Sequence, residues 1–468
     1  MNGGFLERLA AVCGTSGLLT EPNDMGPYLT DWRGVFVGTA RAVARPPDTQ
    51  AVAACVRLCV DAGVAIVPQG GNTGLAAGAT PLDLKDAIVL NLGRMRAIRD
   101  LDPLAFTISV DAGCVLADVQ AAAGEARRFF PLSLAAEGSA QIGGLISTNA
   151  GGTAVLRYGT MRALVLGLEV VLPNGDIADG MRALRKDNAG YDWKQLFIGA
   201  EGTLGIITGA VLRLFPRPAH RATALLGVRN AQDAIAAFSD VQESLGEALA
   251  GAELLSERTL ALRLKHEPQL VRPIAAQPWY LLIEAASALP GLREGAEAAL
   301  SLALEREHAA DGVIAESSTQ AQALWAWRET ITEHERRAGA SAKHDVSVPI
   351  STIPAFLERA TGEVERVHPG ARVLAFGHVG DGNIHFNVLL GEQQSAGEIN
   401  QTVHAIVREF GGSITAEHGI GRYRRDELLQ QRSAVEMALM RAVKGAIDPA
   451  GIMNPGAVLK AEPSKLEG

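Results

Sequence analysis

Val64-Ala65-Ile66-Val67-Pro68-Gln69-Gly70-Gly71-Asn72-Thr73-Gly74 reads as a short apolar strand running into a glycine-rich loop. Glycines there let successive backbone N–H groups turn inward toward an anion, and Asn72 and Thr73 add side-chain donors. The G-x-G-x-x-G spacing and following helix of a Rossmann fingerprint are absent, so the loop reads as a different kind of pyrophosphate nest. Upstream, residues 49–62 predict a helix, with Thr49 as its cap and Gly63 as its stop. Downstream, 87–91 and 107–111 read as strands, 115–123 as a helix and 128–132 as irregular chain. A second glycine-rich loop is expected over 139–152, and a strand over 165–172 ends in the turn Pro173-Asn174-Gly175. Gly199-Ala200-Glu201-Gly202-Thr203-Leu204-Gly205-Ile206-Ile207 is a third such loop. One alone is more often an ordinary turn. Three in one region, each beside a strand, point to a large, extended, doubly phosphorylated cofactor.

The chain has 468 residues, 47% of them apolar and 20% charged, enough for two or three packed domains. A net charge of −9, without a Lys/Arg-rich stripe, argues against nucleic acid as a partner. No apolar run is long enough to span a membrane, and the first residues do not read as a signal peptide. Four cysteines make no disulfide framework, and Cys55 and Cys59 read as buried apolar thiols on one helical stripe. A reducing, cytoplasmic setting is the expectation.

In the second half, Gly377-His378-Val379-Gly380-Asp381-Gly382-Asn383-Ile384-His385-Phe386-Asn387 reads as a hairpin with Asp381-Gly382 as a two-residue loop. That register sets His378 directly opposite His385, with Asn387 on the same face. Thr415-Ala416-Glu417-His418-Gly419 adds a carboxylate and another imidazole. Two His and one Glu, with a spare His, is the inventory of a catalytic divalent-metal site; the plainer reading is hairpin histidines that only find hydrogen-bond partners. Arg328 and Thr332, four apart on a predicted helix, and Lys343 on a strand-like stretch can receive a carboxylate. The plainer reading pairs Arg328 with Glu329 and Lys343 with Asp345 on the surface.

With these motifs in view, the chain resembles the FAD-linked 2-hydroxy-acid dehydrogenases of the vanillyl-alcohol oxidase flavoprotein superfamily, and most of all the D-2-hydroxyglutarate dehydrogenases. The segments that carry it are 68–75, 142–152, 199–208, 377–387, 416–421 and 454–456. The resemblance implies an α+β architecture. Its parts are a FAD-binding domain over 1–217, an α+β substrate and metal cap domain over 218–425, and a C-terminal helical segment, 426–468, returning to the first domain. It implies FAD in an extended pose on Pro68, Gln69, Gly70, Gly71, Asn72, Thr73 and Gly74. Ser139, Gly143, Gly144, Ser147, Thr148, Asn149, Gly151 and Gly152 would also contact FAD, as would Glu201, Gly202, Gly205, Ile207 and Asn454. Many members attach the flavin through a His in the first loop; Gly71-Asn72-Thr73 implies noncovalent FAD here. His378, His385 and Glu417 would bind a divalent metal, taken to be zinc. Arg328, Thr332, Lys343 and Asn387 would hold substrate, with His418 as both substrate contact and base.

The implied reaction is oxidation of D-2-hydroxyglutarate to 2-oxoglutarate, with D-malate as a second substrate. A proton leaves the metal-bound hydroxyl, and hydride passes to flavin N5. A D-lactate or glycolate dehydrogenase is the alternative, and a metal-dependent hydrolase a remote one. The electron acceptor expected is an electron-transferring flavoprotein or a quinone, and the oligomer expected is a homodimer.

Overall fold

In the computed structural model, which describes residues 3–14, 16–84, 86–391 and 394–460, Ala65–Gln69 is a strand parallel to Ala87–Asn91. Ala42–Ala44 runs parallel on the other side of Ala87–Asn91, and Leu18–Leu19 closes that edge antiparallel. Every residue of Ala87–Asn91 is buried, as in a parallel strand covered on both faces. The helix Thr49–Ala62 has the expected span, and Gly63 ends it in the left-handed region at φ 65°. Its cap is Asp48 rather than Thr49: the Asp48 carboxylate accepts from Ala51 N–H at 2.8 Å, while the Thr49 hydroxyl donates to Glu169. Extended backbone at Asp48 lets its short side chain reach the first turn, which Thr49, already helical, cannot do.

A second sheet is antiparallel, in the order 98–102, 107–111, 206–213, 165–171, 177–180. The stretch 139–152 is not loop throughout, because Ile142–Ser147 is helical. Gly143 allows this. Its N–H donates to Ala112 O at 2.7 Å, and a Cβ there would stand 2.8 Å from the Ala112 methyl. The C-terminal chain joins the first sheet, where Ile66 N–H donates to Ile452 O and Asn454 N–H to Ile66 O, both at 2.8 Å. Together, residues 1–152, 159–217 and 417–468 form the first of two units. The four cysteines are buried and unbridged.

The second unit, 153–158 with 218–416, is built on an antiparallel sheet. Its order is 311–314, 220–228, 279–287, 249–256, 372–378, 383–389, 341–342, with 345–347 also pairing to 383–389. Both faces are covered. Leu226, Leu254 and Leu281 join one apolar cluster with Phe238 and Phe356, while Leu225, Leu255 and Leu282 join another with Leu260, Leu324 and Trp327. Alternation with period two sends neighbouring leucines to opposite faces. Leu249–Ser256 is therefore buried at all eight positions, Glu253 included. The architecture is α+β. Among the described residues no helix is long and apolar enough to cross a membrane.

Candidate active site

Within the first unit, Pro68 to Gly74, residues of helix Ile142–Ser147, Glu201, Gly202, residues 205–207 and His418 line one cleft. Among the described residues, none of the amides of Gly71, Asn72, Thr73 or Gly74 donates to an acceptor in the chain. Asn72 holds φ at 54°, and its amide side chain donates to Thr30 O at 2.8 Å, which fixes the loop from behind. Gly71 is packed so tightly that a Cβ would meet Ser139 O at 2.0 Å, whereas Gly74 and Gly144 face open space. The Gln141 Oε1 atom, in the cleft wall, is buried without a partner among the described residues. A row of unused N–H groups, an orphaned acceptor and walls without side chains fit an extended diphosphate cofactor.

Other expected cofactor residues serve the frame. Glu201 lines the cleft at φ 52°, yet its carboxylate accepts from Ile420 and Gly421 N–H, both at 2.8 Å. Burial pushes that carboxyl up to about 7, opposed in part by those two N–H groups and by Arg422. Asn454 donates to Gly78 O and Glu201 O and accepts from Arg422. Ser139, Asn149, Gly151, Gly152 and Asn454 are not among the lining residues. Sequence reading missed Gln141, Gly78, Leu92 and Ala140, which do line the cleft. Gln141 beside Gly143-Gly144 was the available signal.

In the second unit the hairpin register differs from expectation. Phe376, not His378, lies opposite His385, and His378 pairs across to Glu253 on the neighbouring strand. The type I′ turn that Asp-Gly favours needs positive φ at both positions. Here Gly382 alone takes it, at 83°, while Val379–Asp381 forms a 3-10 turn and Asp381 Oδ1 accepts from Asn383 N–H at 3.1 Å. A slip of two residues keeps both imidazoles on one face. Their ring centroids lie 5.8 Å apart. Ala416 donates its N–H to Asp345 O at 3.0 Å, and Glu417 follows it in the chain. His378 and His385 each present a ring nitrogen as a ligand atom, and Glu417, the third expected ligand, opens the C-terminal stretch of the first unit. This donor set, two imidazoles and a carboxylate, suits a divalent cation with open coordination positions.

Behind the histidines stand two buried carboxylates that sequence reading did not single out. Glu253 accepts from Arg328 Nε at 2.7 Å, and its other oxygen lies 2.8 Å from His378 Nδ1. Burial would raise this carboxyl, but the charges of Arg328 and then His378 outweigh it and hold Glu253 below the usual carboxylate range. Glu335, fully buried, accepts from Asn387 Nδ2 at 2.7 Å and lies 3.7 Å from Lys343 Nζ. Arg328 therefore pairs with Glu253 rather than Glu329, and Lys343 has Glu335 within ion-pair distance. Arg328 also lies over the Phe376 ring, 4.7 Å from its centroid. Among the described residues, its terminal amino groups have no acceptor. Thr332 is exposed on Ile331–Ala338, a helix separated from that of Arg328 at Thr330. A Glu inside the apolar strand Leu-Ala-Gly-Ala-Glu-Leu-Leu-Ser was the signal that could have revealed Glu253.

An α+β flavoprotein fold with a glycine-lined cleft is the class these features define. The family description "FAD linked oxidases, C-terminal domain" matches residues 217–458, and "FAD binding domain" matches 40–180. The chain belongs to the FAD-linked oxidase family, and its cofactor is FAD. It is 38% identical over 447 residues to D-2-hydroxyglutarate dehydrogenase of Xanthomonas citri, covering 94% of this chain and 93% of that one. Against the mitochondrial D-2-hydroxyglutarate dehydrogenase of Arabidopsis thaliana it is 36% identical over 452 residues, 96% of this chain and 80% of the other. The solved 4-ethylphenol oxidase of Gulosibacter chungangensis shares the fold at a TM-score of 0.76 and 18% identity, over 99% and 98% of the two chains. The fold is thus of the vanillyl-alcohol oxidase type.

Proposed function

We propose that this enzyme oxidises D-2-hydroxyglutarate to 2-oxoglutarate, with D-malate as a shorter, weaker substrate. The observation that carries the reading is the pair of imidazoles, His378 and His385, 5.8 Å apart on one face of the sheet, in the same unit as an Arg328 whose terminal amino groups have no acceptor among the described residues. When bound, FAD supplies the two-electron acceptor and a divalent cation, zinc in this reading, supplies Lewis acidity. His378, His385 and Glu417 would hold that cation. Arg328 and Lys343, with Thr332 at the rim, receive the distal carboxylate; Glu253 and Glu335 keep both cations aimed. Asn387, fixed by Glu335, orients the reacting end. His418 takes the hydroxyl proton as the Cα hydride leaves, which balances the two-electron oxidation. FAD is held noncovalently, since Gly71-Asn72-Thr73 offers no His.

A lactate-like substrate would leave the outer amino groups of Arg328 without an anion to receive, a penalty of about 2–5 kcal/mol. The reading extends to an electron-transferring flavoprotein or quinone as acceptor, a homodimer, and a cytoplasmic location in keeping with unbridged cysteines. A panel of D- and L-2-hydroxy acids with an artificial dye acceptor tests it. D-2-hydroxyglutarate should give the highest kcat/KM, ahead of D-malate and far ahead of D-lactate. A preference for D-lactate or glycolate would replace this substrate assignment.

A further inference from the structure

We infer that Glu253 is a positioning residue that couples the cation ligand His378 to the carboxylate clamp at Arg328. The inference rests on the proposed metal-and-clamp reading and adds a coupling between its two halves.

The geometry begins with the sheet. Glu253 sits opposite His378 in strand register, and its side chain is 1% exposed. Nothing solvates the carboxylate, so its two neighbours must balance it. On one side it takes only Nε of Arg328, which leaves the outer fork of the guanidinium for an anion. On the other it stands 2.8 Å from Nδ1 of His378, so Nε2 is the ring atom left to face a cation. That oxygen receives no directed hydrogen bond in the present side-chain arrangement. A small turn of the imidazole would complete one and leave Nε2 as the atom to hold a cation.

One carboxylate thus divides its charge between two functional groups. An anion on the outer fork of Arg328 draws the guanidinium's charge toward itself and away from Glu253. More of the carboxylate's charge then falls on His378 Nδ1–H, which makes Nε2 a stronger donor. Occupation of the clamp should therefore tighten the cation, and the cation should tighten the clamp by the same factor.

The test measures zinc affinity of the flavin-loaded protein by competition with a fluorescent chelator, with and without glutarate, a dicarboxylate that lacks the reacting hydroxyl. Glutarate should tighten zinc in the unmodified protein by about threefold or more. Glu253→Gln should weaken zinc by about 10- to 100-fold and abolish the glutarate effect, with Glu253→Asp recovering part of both. Arg328→Ala should lose the glutarate effect while zinc affinity stays within about threefold. Zinc binding in Glu253→Gln within about twofold of the unmodified protein overturns the coupling alone. Failure of the unmodified protein to bind zinc overturns the cation reading and the coupling together. Should Glu253→Gln not fold, nitrogen-15 histidine NMR of the unmodified protein decides, with His378→Gln giving the assignment. A proton on Nδ1 of His378 supports the inference, and a proton on Nε2 overturns it.

Discussion

The cleft of the first unit and the polar cluster of the second solve opposite problems. The cleft is made of backbone: N–H groups at 71–74 with no acceptor among the described residues, and glycines where a side chain would collide. The cluster is made of side chains: Arg328, Lys343, His378 and Asn387 each stand against a buried glutamate. A backbone nest binds charge without carrying any, so it tolerates loss of side-chain atoms but not their addition. A cluster of buried charges tolerates the reverse poorly, since removing one partner strands the other. The two regions should therefore fail in different ways.

Stripping the cation with a chelator is the severest break expected. Activity should vanish while the flavin absorbance stays, because the cation ligands and the glycine nest are separate sets of residues. Unchanged turnover after chelation would remove the metal from the mechanism. Next is His418→Ala, expected to lower turnover by about 100-fold or more with flavin retained; near-normal turnover would remove His418 from the base role. Arg328→Ala should cost the dicarboxylate about 30-fold in kcat/KM and D-lactate far less, measured side by side. Equal losses would place Arg328 outside the clamp.

Two smaller effects sharpen the contrast on the backbone side. Gly71→Ala should weaken flavin binding by about tenfold, read by flavin release on dilution, because its methyl would meet a carbonyl oxygen rather than a movable side chain. Thr73→Ala should change it little. Glu201 gives the mildest signature. Its folded carboxyl, pushed up to about 7, holds a proton more tightly than the unfolded chain does. The folded state then binds more protons between the ordinary carboxylate range and pH 7, so this group's contribution to stability falls as pH rises through that window. Glu201→Gln should flatten that slope in thermal melts, and an unchanged slope would show that the carboxyl titrates normally.

Much of this was legible in the chain. Strand–glycine–strand order gave the three loops, since glycine is the residue that permits close backbone approach. The order of Ala65–Gln69, Ala87–Asn91 and Thr107–Asp111 follows from local apolar runs. The hairpin register escaped because Asp381-Gly382 allows more than one turn, and the choice depends on what Asp381 bonds to.

The sequence by itself determined the fold class, the glycine nest and the identity of the chemistry-bearing residues, because these depend on local backbone freedom and side-chain type. Tertiary structure alone decided which charges meet. Glu253 is 75 residues from Arg328 and 125 from His378 along the chain, distances no periodicity can span. Only the order of strands in the sheet, which buries all eight residues of Leu249–Ser256, forces that carboxylate to find both partners.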